Sequence, residues 1–252
     1  MIETESLEVQ FARYFDVQVA RDETLKDLCY RMRYRVYCEE FGYESPQAFP
    51  DGRETDDYDP LALSCVILHR RTGQLAGSLR LIPGVFAGKA LDLPFELTRS
   101  VALEGEFSGV EVLDRSTICE VSRLAVGCAF RRRDGEFSSR IGEQTSLDPD
   151  HAEYRCFNVV SEAIFLAGVA LASIVGSTNM FAMMEPVLPR ILRRSGINFQ
   201  QIGECVNYHG LRAPFFANTA VVESQIKTGL QPLYRFLYSA LKRSYEQQLA
   251  VC

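Results

Sequence analysis

The sequence predicts a mixed α/β sheet flanked by helices, in one domain spanning residues 1–252. Three observations carry that expectation. Two strand-like runs sit back to back around Arg70-Arg71-Thr72-Gly73, which reads as a hairpin. Apolar residues recur at helical spacing before and after them. No Pro-, Gly- or Ser-rich tract divides the chain as a linker would.

Taken in order, Phe15, Val17 and Val19 alternate with polar residues as a half-buried strand does. From Asp22 to Phe41, the spacing of Leu25, Leu28, Cys29, Met32, Val36, Tyr37 and Phe41 gives one helical face. Gly42 to Pro60 is rich in Pro, Gly and acid and reads as a long loop, a length that compact domains usually reserve for function. Ala62–His69 and Gln74–Ile82 form the hairpin, closed by Pro83 and Gly84. After a less regular stretch to Arg115, the run Cys119–Cys128 is again apolar and β-rich. A polar segment, Arg131–Asp150, separates it from a helix over Glu153–Val175. Met180–Met184 is a short strand, Pro186–Ser195 a helix stopped by Gly196, and Ile197–Tyr208 and Pro214–Val221 two late strands. From Leu230, apolar residues at Leu233, Phe236, Leu237, Ala240, Leu241 and Tyr245 define a last helix, with Lys242, Arg243 and Glu246 on its wet side.

Composition narrows the class of function. At 47% hydrophobic and 24% charged residues the chain resembles ordinary folded domains. Its longest apolar run, Ala163–Val175, falls short of the roughly 20 residues a membrane helix needs. Glu3, Glu5 and Glu8 stand where a signal peptide carries positive charge, so a cytoplasmic location is expected. The eight cysteines form no C-x-x-C pair and are expected as reduced core thiols. His69, His151 and His209 show no metal-ligand spacing, so no metal is expected. A net charge of −6 argues against general nucleic-acid binding.

Two constellations could carry chemistry. Asp51, Glu54, Asp56, Asp57 and Asp59 place five carboxylates in nine residues, which repel one another unless something is gained. A solvated acidic loop is one reading. A calcium loop lacks its glycine and its later glutamate here. Carboxylates that position a cation or fix neighbouring arginines through bidentate hydrogen bonds are the third. The second constellation is Glu120-Val121-Ser122-Arg123 in the strand Cys119–Cys128. Alternation puts Glu120 and Ser122 on one face and Val121 and Arg123 on the other, unless a bulge intervenes. Such charges in an apolar strand are costly unless paired, which leaves a structural pair or a tuned base. Arg80, ending the strand Gln74–Ile82, raises the same question.

In order, the chain reads Arg33-x-x-x-Tyr37, Tyr43, Glu54-x-Asp56-x-x-Asp59, Arg80, and Glu120-x-Ser122-Arg123. This resembles the acyl-homoserine-lactone synthases and the related N-acyl amino acid synthases, acyltransferases of the GNAT type. Arg33, Asp56, Asp59, Arg80, Glu120 and Arg123 match that family's polar pattern in type and spacing. Tyr37 stands where the family usually has Phe, and Tyr43 where it usually has Trp. The resemblance covers about Leu25 to Ala129. Further on, Ala182-Met183-Met184-Glu185-Pro186 and His209–Phe216 look like the acyltransferases of bacterial exosortase (PEP-CTERM) systems.

The resemblance implies a GNAT fold and transfer of an acyl chain from a thioester to an amine, with no cofactor. It implies Glu120 as the group that takes the amine's proton, held by Arg123 or Arg80. Arg33, Tyr37, Tyr43, Asp56 and Asp59 would shape the acceptor pocket, the two aspartates by anchoring Arg33 and Arg80. The turn Phe130–Glu136 holds one glycine and lacks the full amide cradle that binds coenzyme A pyrophosphate. Its Arg131, Arg132 and Arg133 suit acyl carrier protein, an acidic partner, with Arg193 and Arg194 extending the patch. Two other functions stay open: homoserine-lactone synthesis, and a silent module that binds acyl carrier protein or lipid without turnover.

Overall fold

A computed structural model describes residues 5–98, 113–131, 151–208 and 210–250. Helix α1 (Leu7–Tyr14) leads into strand β1 (Phe15–Val19), and α2 (Glu23–Arg33) follows, capped by Asp22, whose side chain accepts from the Leu25 amide at 2.8 Å. The predicted long helix continues past Arg33, but as a π-helix over Tyr34–Glu40. Its wider turn, with the Phe41 amide reaching back to the Val36 carbonyl, re-aims the side chains of Val36 and Tyr37.

The hairpin is present as β2 (Leu63–His69) and β3 (Leu75–Pro83), and the central strand as β6 (Ile118–Val126). Between them lie a small β4–β5 hairpin (Val85–Phe86 and Lys89–Ala90) and the short helix α3 (Pro94–Leu97). After β6 come α4 (His151–Phe157), α5 (Val160–Ile174), β7 (Asn179–Met184) and α6 (Leu188–Leu192). Two-residue strands β8 (Gln200–Gln201) and β9 (Val206–Asn207), strand β10 (Leu211–Asn218), α7 (Thr219–Gln225) and α8 (Gln231–Leu249) complete the order.

The sheet runs β1-β2-β3-β6-β7-β10-β8, with β9 also on β10. It is antiparallel from β1 to β6, parallel between β6 and β7, and antiparallel again at β7–β10. Helix α5 makes the crossover that the parallel pair requires. It packs between the sheet and α8, which is why almost every residue from Ala163 to Ala172 is buried and no polar face is needed. Helix α2 covers the other face, where the Ser78 hydroxyl meets the Met32 sulfur. Along β3, therefore, Leu79 faces α5 while Ser78 and Arg80 face the α2 side.

Several boundaries differ from expectation. The helix expected over Glu153–Val175 is two, broken between Phe157 and Val160. Ile197–Tyr208 forms only the fragments β8 and β9. The strand expected over Pro214–Val221 begins at Leu211 and ends at Asn218, whose side chain accepts from the Val221 amide and starts a helix there. Helix α1 went unpredicted. No described helix is long and apolar enough to cross a membrane.

Candidate active site

The parallel pairing of β6 with β7 is short. It runs from Ile118 opposite Asn179 to Glu120 opposite Phe181, and β6 then continues to Val126 with no β7 partner in register. The strands fork immediately after Glu120. A cavity of about 780 Å³ opens there, walled on its apolar side by Leu79, Val121, Phe165, Gly168, Met180 and Met184. Glu120, Ser122, Arg123, Tyr58, Tyr208 and Arg212 give it a polar end.

A bulge shapes that end. Arg80 pairs with Ser122 and Ser78 with Ala125, so Leu79 alone stands opposite Arg123 and Leu124. Arg123 takes a left-handed φ of 51°, which costs a non-glycine residue about 1–2 kcal/mol. The bulge turns Arg123 onto the α2 side, against plain alternation, where ion pairs offset the strain. Its Nε donates to Glu54 at 2.9 Å, its Nη2 lies 3.3 Å from Asp56, and its guanidinium stacks 5.8 Å from the Tyr37 ring.

The acidic loop meets these arginines. Arg33, 2% exposed, holds Asp59 in two hydrogen bonds of 2.6 and 3.1 Å and donates a third to Glu54. Arg80, equally buried, bonds Asp56 and Asp59, the latter at 3.0 Å, and reaches the Ser122 hydroxyl at 3.2 Å. Asp59 also accepts from the Asp56 amide at 2.8 Å, and Asp56 from the Tyr58 amide at 2.9 Å. Burial alone would raise the Asp56 carboxyl; the Arg80 hydrogen bond and charge, helped by Arg123, outweigh it and hold Asp56 below its ordinary range. Three guanidiniums thus meet Glu54, Asp56 and Asp59. The solvated-loop reading of this segment is overturned by these buried pairs, and among the described residues no cluster of metal-ligating side chains occurs.

Glu120 is different. It is 2% exposed, and its carboxylate accepts from the Phe95 amide at 2.9 Å. Phe95 is fixed in turn by stacking on Phe181 with centroids 4.7 Å apart, while Arg115 anchors α3 through Glu96. Neither Arg80 nor Arg123 donates to Glu120, contrary to the expectation that one of them holds it, because their hydrogen bonds go to the acidic loop and Ser122. Burial pushes the Glu120 carboxyl up to about 7, moderated by the Phe95 amide and by the charges of Arg80 and Arg123.

The aromatic positions also gather here. Tyr37 donates to the Leu124 carbonyl at 2.7 Å, Tyr43 to Glu185 at 2.7 Å, and both line the cavity. Arg131 lines it too, but its charge is matched by Glu40 and its Nε is bound to the Val126 carbonyl at 2.7 Å, so it is not the open cation expected. Arg132, Arg133 and Gly135 lie outside the described residues, as does His209. Phe95 and Tyr208 were not singled out from sequence as site residues; Glu54 stood out only as part of the acidic run, and Arg212 only within His209–Phe216, neither with a role of its own.

Residues 32–138 match the acetyltransferase (GNAT) domain family. No curated protein matches the chain. Among solved structures, the acyl-homoserine-lactone synthase LasI superposes with a TM-score of 0.57 at 15% identity, over 85% of this chain and 98% of that one. A CoA-dependent acyl-homoserine lactone synthase, MesI, gives 0.56 at 16% identity over 88% and 95%. FeeM, an N-acyl amino acid synthase from uncultured soil microbes, gives 0.53 at 15% identity over 85% and 96%. The fold is therefore the GNAT fold in the form those synthases share, and the domain match over residues 32–138 supports an acyltransferase.

Proposed function

We propose that the chain is an N-acyltransferase that moves a fatty acyl group from the thioester of acyl carrier protein to the amine of an amino acid. The observation that carries this reading is Glu120: a buried carboxylate, raised to about 7, at the fork of β6 and β7 beside a cavity with one apolar wall. A base of that strength is half ionised near neutral pH and suits an amine that must arrive deprotonated. The acyl chain lies along the apolar wall. The amine nitrogen attacks the thioester carbonyl while Glu120 takes its proton, directly or through water. The tetrahedral oxyanion is met by backbone amides between Leu124 and Val126, and the carrier thiol leaves with a proton. The loop Gly42–Pro60 excludes water that would hydrolyse the thioester.

A carrier-protein donor is favoured by the cavity mouth. Val187 and Ile191 line the cavity and are exposed, beside exposed Arg190, Arg193 and Arg194, a pairing of apolar and basic surface that fits an acidic protein delivering an acyl arm. Assignment to the exosortase-associated branch rests on Ala182–Pro186 and His209–Phe216 alone. The runner-up, a homoserine-lactone synthase, is favoured by the fold of LasI and MesI.

The test is turnover of dodecanoyl thioesters of acyl carrier protein and of coenzyme A with amino acids, read by mass spectrometry of N-acyl products. The carrier-protein thioester should be the faster donor. Glu120→Gln should lower kcat by about 10²–10⁴-fold with folding retained. Faster turnover of the coenzyme A thioester rejects the donor, and an acyl-homoserine lactone as the product in overexpressing cells installs the runner-up. Wild-type rates in Glu120→Gln near neutral pH return Glu120 to a structural role.

A further inference from the structure

Four of the described arginines line the cavity, and three are matched by carboxylates: Arg80 by Asp56 and Asp59, Arg123 by Glu54 and Asp56, and Arg131 by Glu40. Arg212 is not. It opens from β10 with its guanidinium 5.2 Å over the Tyr43 ring, and no described carboxylate pairs with it. Its Nε is buried with no hydrogen-bond acceptor among the described residues. A buried guanidinium donor facing a cavity without an acceptor is costly, and a ligand that brings a negative charge removes that cost.

The placement says which ligand. The phenols of Tyr37, Tyr43 and Tyr208 all feel the charge of Arg212, and Tyr208 feels Glu120 as well. Arg212 therefore belongs to the polar end of the cavity, with Glu120, and not to the exposed basic surface of α6. The remaining acids in that wall are engaged or facing water: Glu185 accepts from Tyr43, and Asp57 is exposed. One unmatched positive charge fits one carboxylate.

We propose that Arg212 receives the carboxylate of the acceptor, so that the amine presented to Glu120 belongs to a carboxylate-bearing amine and not to a neutral or cationic one. The assignment rests on the N-acyl amino acid reading above and adds the residue that selects its acceptor. Tyr43 backs the guanidinium through its ring face and sets its plane, so a bidentate pair with the incoming carboxylate becomes the favoured geometry.

The experiment gives the wild-type protein dodecanoyl-acyl-carrier-protein with each of the twenty protein amino acids and, in parallel, with their carboxamides. N-acyl products are quantified by mass spectrometry. For the best acceptor, kcat/KM should favour the acid over its carboxamide by about 10–100-fold, the worth of a charge-assisted hydrogen bond. R212Q should bring the acid down to the level of the amide, chiefly through KM for the acceptor, and R212K should restore part of the preference. Equal use of acid and carboxamide by the wild type overturns the assignment without touching the acyltransferase reading, and needs no variant to fold. An R212Q defect that appears as a raised KM for the donor also overturns it, by giving Arg212 to the phosphate of the donor's prosthetic arm. A wild type that acylates none of these amines rejects the N-acyl amino acid reading, and the assignment falls with it.

Discussion

Glu54 and Glu120 are buried alike, at 1% and 2% exposure, in opposite surroundings. Glu54 receives guanidinium N–H groups from both Arg33 and Arg123, whereas Glu120 receives one backbone amide. The consequence shows in their neighbourhoods. Beside Glu54, Asp56 is held low by arginine, while at the fork burial lifts Glu120 to about 7. Two things separate Asp56 from Glu120: Asp56 lies less deep, and it has arginines bound to it where Glu120 has one backbone amide. The arginines tie the acidic loop to the sheet and in doing so are kept from Glu120, leaving a base whose proton is held weakly enough to exchange near neutral pH.

Breaking the paired side should produce the largest effect on stability. Asp59 takes two hydrogen bonds from Arg33 and one from Arg80, so Asp59→Asn leaves buried guanidiniums short of charge and should cost about 3–5 kcal/mol. Denaturant unfolding measures it. A cycle with Arg80→Met should show coupling above about 0.5 kcal/mol, since the residues touch. Losses that simply add, or a single loss below about 1 kcal/mol, would mean the loop is solvated despite its contacts.

The poised side should respond in the reverse direction. A carboxyl raised from 4.5 to about 7 binds its proton more tightly folded than unfolded. Between these values the folded state holds more protons, so stability contributed by Glu120 is full below about 4.5 and is lost as pH rises to about 7. Glu120→Gln cannot ionise and should flatten that slope. It should exceed the wild type by up to about 3 kcal/mol at pH 8 and match it near pH 4. Parallel stability curves for the two proteins would place Glu120 in an environment where its charge costs nothing.

How much of this contrast the sequence disclosed follows from the range of the forces involved. The hairpin, the central strand and the last helix were legible because period-2 and period-3.6 patterns are local. The partnership of Arg33 and Arg80 with Asp56 and Asp59 was legible through the family resemblance, which fixes residues far apart in sequence. The bulge was not. A left-handed residue is ordinarily signalled by glycine or asparagine, and Arg123 occupies that position through ion pairs made only in the folded chain. Alternation thus pointed Arg123 away from the very loop it binds. The Phe95 amide on Glu120 was equally invisible, being a backbone donor 25 residues away. Thr219–Val221 read as the end of a strand because Thr and Val favour extended backbone, and the Asn218 cap made it the start of a helix.

The smallest expected effect probes the seam between the two sides. Tyr37 is buried, its ring lies under the Arg123 guanidinium, and its hydroxyl donates to the Leu124 carbonyl across the bulge. Tyr37→Phe keeps the ring, and hence the cation–π contact, but leaves that carbonyl without its donor. The loss should be about 1 kcal/mol in unfolding free energy. If the hydroxyl serves only to pin the bulge, the midpoint of the acid limb in the pH–rate profile should stay near 7, because Glu120 keeps its burial, its amide and its distant arginines. A midpoint that moves with Tyr37→Phe would mean that the bulge, and not burial alone, sets the proton affinity of Glu120, and the separation between paired and poised carboxylates would then be a matter of strand geometry as much as of cation supply.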